Sequence, residues 1–133
     1  MTARFSFIGL VVADMAASLA FYRRLGLSIA PQADGEPHVE APIGDGLLLV
    51  WDTVEIIRSF DPDWTAPTGD ARAALGFRCD SPAEVDRRYA ELTAAGYPGH
   101  KAPWDAFWGQ RYTTVRDPDG NSVDLLAPLP AAG

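Results

Sequence analysis

The chain has 133 residues, 47% of them hydrophobic, and its 11 basic side chains against 18 acidic ones leave a formal net charge of −7. That length suits one compact domain with a sizeable core, and the negative balance repels a phosphate backbone, so nucleic acid is not an expected partner. The single cysteine, Cys79, rules out an internal disulfide and a clustered-thiolate metal site and points to a reducing compartment.

The strand-like FSFIGLVVA leads the chain, and MTARFSFIGLVVADM lacks the basic flank and long apolar run of a leader. No later stretch is apolar for long enough to span a bilayer. A cytoplasmic location without a membrane partner is therefore expected. Asp14 then opens DMAASLAFYRRLGL, in which Met15, Leu19, Tyr22 and Leu25 recur at helical spacing and Gly26 marks the stop. Strands are predicted in LSIA, PHVEA and GLLLVWDT, with Gly44, Asp45 and Gly46 turning the chain between the last two. VEIIRSFDPDWTAPTGD follows as a poorly periodic connection, long enough to be functional.

The second half repeats the first. Ser81, Pro82 and Glu84 supply an N-cap, a first-turn proline and a capping-box acid, Val85, Tyr89 and Leu92 share one helix face, and Gly96 ends it. YPGHKAP, QRYTTVR and NSVDLLAP read as strands, with DPDG as the turn before the last. Two βαβββ modules of about 50 residues point to an internal duplication. The expected class is α+β, one domain over 1–133, with module one at 1–53, the connection at 54–70 and module two at 71–128.

The two βαβββ units, with DMAASLAFYRRLGL after the first strand and DPDGNSVDLLAP at the end, resemble the vicinal oxygen chelate superfamily: glyoxalase I, extradiol dioxygenases, fosfomycin-modifying enzymes and bleomycin-binding proteins. The resemblance implies tandem modules forming a cupped half-barrel, with the cavity completed across a homodimer. It also implies a test for a metal. Enzymes of this superfamily place a His on the first strand of each half and a Glu on the last, and those positions fall here on Phe7, Ala74 and Asp124, with a further carboxylate position near Leu49. Phe7, Ala74 and Leu49 offer no donor atom, so neither a metal nor any other cofactor is expected.

DTVE, SFDPDW, APTG, RYAEL, AGYPGH, PWDAFWGQRY and DPDGNSVDLLAPLP resemble, more narrowly, the mitomycin-binding resistance proteins and relatives that sequester other polycyclic drugs. That resemblance implies a ligand held between His38 and Trp108. Strand alternation adds to it: if position 7 faces the cup, so do Phe5, Gly9 and Val11, and Ser122 and Leu126 accompany Asp124. On the strand after Gly46, Leu47, Leu49 and Trp51 share a face, also assigned to the cup. The expected ligand-binding set is Trp108, His38, Trp51, Phe7, Trp104, Tyr112, Asp124, Leu49 and Phe5, with no catalytic residue. Of Arg111 and Tyr112, which alternate, only one can face the ligand; Asp124 either touches ligand or accepts hydrogen bonds inside the fold.

Two functions stand side by side at this stage. The first is a metal-independent, homodimeric drug-binding protein that sequesters a flat polycyclic or quinone natural product and so confers antibiotic resistance. The alternative is an enzyme of the same fold that acts on a natural product with Asp124 or His38 as general base.

Overall fold

The structure is a computed structural model and describes residues 2–131. In chain order the described elements are β1 (Phe7–Val12), α1 (Met15–Arg24), a 3-10 turn (Pro31–Gly35), β2 (His38–Gly44), β3 (Leu47–Thr53), α2 (Val54–Phe60), β4 (Ala74–Arg78), α3 (Pro82–Ala94), β5 (Gly99–Ala106), β6 (Gln110–Arg116) and β7 (Ser122–Pro128). The fold is mixed α+β, with a three-stranded sheet β1-β3-β2 and a four-stranded sheet β4-β7-β6-β5. These belong to two compact units, Met1–Thr68 and Gly69–Gly133. In each unit the first strand pairs in parallel with the last, and the remaining neighbours are antiparallel.

Both long helices start where their caps demand. Asp14 accepts a hydrogen bond from the Ala17 N–H, and Ser81 accepts one from the Glu84 N–H while Glu84 reaches back to the Asp80 N–H. Gly26 and Gly96, just beyond the two helices, both take φ of 100°, a conformation that side-chain-bearing residues avoid.

The first unit has one strand fewer than the sequence suggests. LSIA does not pair, because the guanidinium of Arg23 donates to the carbonyls of Ile29 and Ala30 and forms an ion pair with Asp34. Those carbonyls are thereby taken from any ladder, and Pro31 begins the 3-10 turn immediately after them. The connection also differs from expectation: its start folds as α2, capped by Thr53.

Pairing register fixes what each sheet face presents. In the first unit, Trp51 is fully buried and meets Tyr22 of α1 edge-on with ring centroids 5.6 Å apart. Register pairs Trp51 with Leu10, Leu49 with Ile8 and Leu48 with Phe7. Leu49 and Trp51 therefore lie on the helix side, and the expectation that they share a face with Phe7 is corrected by one residue. The run LLLVW is apolar at every position, so it carries no alternation from which a face could be read.

In the second unit α3 covers one sheet face. Its Val85 and Leu92 are buried with Val115, Val123, Leu125 and Ala127, and its Asp86 ion-pairs with Arg111 at 2.9 Å. Arg111 thus points to the helix side, and Tyr112 to the other face. At the β6–β7 turn, buried Asp117 accepts hydrogen bonds from the Asp119 and Asn121 backbone N–H groups and from the Asn121 side-chain amide. This clamp fixes the register that sets Tyr112 and Thr114 beside the last strand.

Candidate functional site

On the second unit, the face away from α3 carries an aromatic wall joined to a carboxylate. Trp104 ends up opposite Tyr112 across the β5–β6 ladder, and Trp108 projects from the turn between those strands, where Gly109 takes φ of 93°. Trp108 meets Trp104, Phe107 and Tyr112 nearly perpendicularly, at centroid distances of 5.4, 4.9 and 5.3 Å. Edge-to-face contact satisfies the ring quadrupoles and holds the indole in one orientation. Its only polar group is also engaged, since the Trp108 Nε1–H donates to Gln110 Oε1 at 2.7 Å. Even so, Trp108 remains 48% exposed and Phe107 91%.

Tyr112 links this wall to Asp124. Its hydroxyl donates to Asp124 Oδ2 at 2.5 Å, and the Thr114 hydroxyl donates to Oδ1 at 2.8 Å. Burial, helped by the neighbouring carboxylate, pushes the phenol of Tyr112 up to about 12, so it remains a donor at neutral pH. Asp124, which the sequence leaves open between two roles, accepts hydrogen bonds from two side chains and stays half-buried rather than enclosed. Register places it opposite Gly76 of β4.

On the first unit, the face opposite Trp51 carries Phe7, 55% exposed, and Phe5 just before the strand is 67% exposed. His38 begins β2, opposite Asp52 of β3. Its Nδ1 lies 2.5 Å from Asp52 Oδ1 and its Nε2 lies 2.9 Å from Glu40 Oε2. These contacts, Asp52 first and Glu40 second, raise its pKa above the usual 6.5 and favour the imidazolium form. The sequence pattern missed Glu40 and Asp52 as partners; strand parity could have paired Glu40 with His38, but only the β2–β3 register brings in Asp52. Gln110 was also missed, because an amide two residues from a tryptophan is not a signal in itself.

The superfamily's metal does not fit these side chains. Phe7 and Ala74 have no donor, and register moves the module-one counterpart of Asp124 from Leu49 to Val50, which also has none. Among the described residues no group of three or more His, Cys, Asp or Glu is arranged to hold a metal ion. His38, Glu40 and Asp52 do meet, but each ring nitrogen is directed at a carboxylate oxygen, which favours the protonated ring over one that gives a lone pair to a metal.

The sequence matches the model of the glyoxalase/bleomycin resistance protein/dioxygenase superfamily over residues 4–125. The chain belongs to that superfamily. A glyoxalase/bleomycin resistance protein/dioxygenase family enzyme from Burkholderia phytofirmans PsJN is similar at 20% identity and a TM-score of 0.80, over 96% of this chain and 100% of that one. A glyoxalase-related enzyme from Fulvimarina pelagi gives 21%, 0.78, 99% and 96%. A lactoylglutathione lyase from Agrobacterium tumefaciens gives 23%, 0.66, 96% and 95%. At such identities these likenesses establish the fold alone. No curated protein matches the sequence. No helix among the described residues is long and apolar enough to cross a membrane.

Proposed function

We propose that this superfamily member is a metal-independent binding protein that sequesters a flat polycyclic or quinone natural product against aromatic side chains, serving antibiotic resistance. The observation that carries the proposal is Trp108: a half-exposed indole fixed by three perpendicular rings and by Gln110. An exposed tryptophan held rigid loses little freedom on binding, which is what a stacking platform requires. Trp104, Tyr112 and Asp124 complete that surface on the second unit. On the first unit, Phe5, Phe7 and His38 are exposed, whereas Leu49 and Trp51 serve the core instead.

The setting of His38 favours binding over proton transfer: each ring nitrogen faces a carboxylate, and these contacts raise its pKa and so favour the form that has no lone pair to accept a proton. Calorimetry with mitomycin C, the quinoxaline peptide echinomycin and an anthraquinone dye tests the proposal, followed by mass spectrometry of the recovered compound. Saturable binding of at least one compound, recovered unchanged and weakened by Trp108→Ala, is the expected result. Flat titrations throughout, or a chemically altered product, would refute it.

A further inference from the structure

Three hydrogen-bond donors on this face are spent internally. The Trp108 N–H goes to Gln110, and the Tyr112 and Thr114 hydroxyls go to Asp124. Asp124 keeps acceptor capacity and negative charge beside the rings: a carboxylate has about four acceptor positions, and two on Asp124 are filled. Among the described residues no Lys or Arg forms an ion pair with Asp124. Arg111 is bound to Asp86 and Asp105 on the helix side. Arg78 and Arg116 stand on the same face opposite Leu126 and Ser122, and neither reaches it.

A half-buried carboxylate held only by neutral hydroxyls is short of a counter-charge. One flank of it is bare. Gly76 is its register partner, and a Cβ built there would meet only Leu126 Cδ2, at 3.7 Å. The gap therefore lies directly beside the anion, with the ring of Tyr112 leading from it to Trp108. The neighbouring wall already accepts a cation, since Lys101 Nζ lies 5.0 Å from the Trp104 ring centroid. The formal net charge of −7 draws cations towards the molecule as a whole.

We propose that Asp124 is the receptor for a protonated amine on the bound aromatic molecule, docked over the bare backbone of Gly76 while the ring system stacks on Trp108. The proposal rests on the binding function above and narrows its ligand to flat molecules that carry a basic nitrogen. The two acceptor positions left on the carboxylate take the ammonium hydrogens, and the ionic contact sets orientation as well as affinity.

Calorimetric titration of the full chain with 9-aminoacridine and with acridine tests this, because the two share a three-ring plane and only the first is cationic at neutral pH. The wild type is expected to bind 9-aminoacridine at least about tenfold more tightly, roughly the effect of one favourable charge contact. Asp124→Asn is expected to abolish that preference and bring the two affinities together. Gly76→Ala does the same by filling the gap, and because its methyl meets Leu126 at ordinary contact distance it keeps the fold should Asp124→Asn disturb it. Equal wild-type affinities that both fall in Trp108→Ala overturn the amine receptor and leave the stacking function standing. A preference for 9-aminoacridine that survives both Asp124→Asn and Gly76→Ala overturns it too. Absence of binding by either probe, or indifference to Trp108→Ala, removes the stacking function and this inference with it.

Discussion

Trp108→Ala removes the surface on which binding depends, and its effect follows from what the indole exposes. Trp108 is 48% exposed, and an aromatic side chain of roughly 200 Å² then has about 100 Å² available. A plane laid on one face covers about half of that and loses a similar area itself, so ~100 Å² leaves water, worth about 2.5 kcal/mol. Ring-to-ring attraction adds ~1 kcal/mol. Truncation should therefore weaken 9-aminoacridine binding by about two to three orders of magnitude. Calorimetry is the appropriate assay, because the substitution deletes a fluorophore. Trp108→Phe keeps a ring and should fall between the wild type and the alanine variant. Thermal melting separates lost affinity from lost fold, since Trp108 projects from a turn and its truncation should leave the unit folded. A folded Trp108→Ala variant that binds within about threefold of the wild type would refute the reasoning, as that is less than 1 kcal/mol.

Gln110→Ala frees the indole N–H and should weaken the same binding by about five- to tenfold, close to the value of one neutral hydrogen bond that orders a side chain; a Gln110→Glu variant, which keeps the acceptor, should recover most of it, and no loss in the alanine variant would show that the rings alone fix Trp108. His38 should titrate above 6.5 by proton NMR, with Asp52→Asn lowering its value more than Glu40→Gln. Because its folded pKa is raised, the stability it contributes is complete below about 6.5 and is lost as pH rises through the folded value; a melting temperature whose pH dependence is the same in His38→Gln would contradict this. Asp117→Ala strands two backbone donors and an amide in a buried turn and should cost about 3 kcal/mol in chemical denaturation. Spectrophotometric titration should show one phenol ionising near 12 and moving down in Asp124→Asn.

The local signals carried the repeat. Caps at Asp14 and Ser81, glycines after each helix and the DG turns before each last strand are short-range chemistry, in which a side chain meets backbone a few residues away. They gave both helices and six of the seven strands their places, and alternation put Asp124 with Ser122 and Leu126 correctly. LSIA failed as a strand because its competitor, Arg23, lies on the preceding helix, and a donor that reaches across a loop leaves no periodic trace in the segment it captures.

By itself, then, the sequence determined the α+β modules, the missing metal donors at Phe7 and Ala74, and the prominence of Trp108. Tertiary structure decided which way β3 faces, sending Trp51 against Tyr22, since a uniformly apolar strand has no preferred side until parallel pairing with β1 fixes one. It also decided which partners the polar groups find. His38 meets Asp52, Tyr112 meets Asp124 and Asp124 meets the gap at Gly76 only through ladder register, which depends on the whole sheet and not on any one strand.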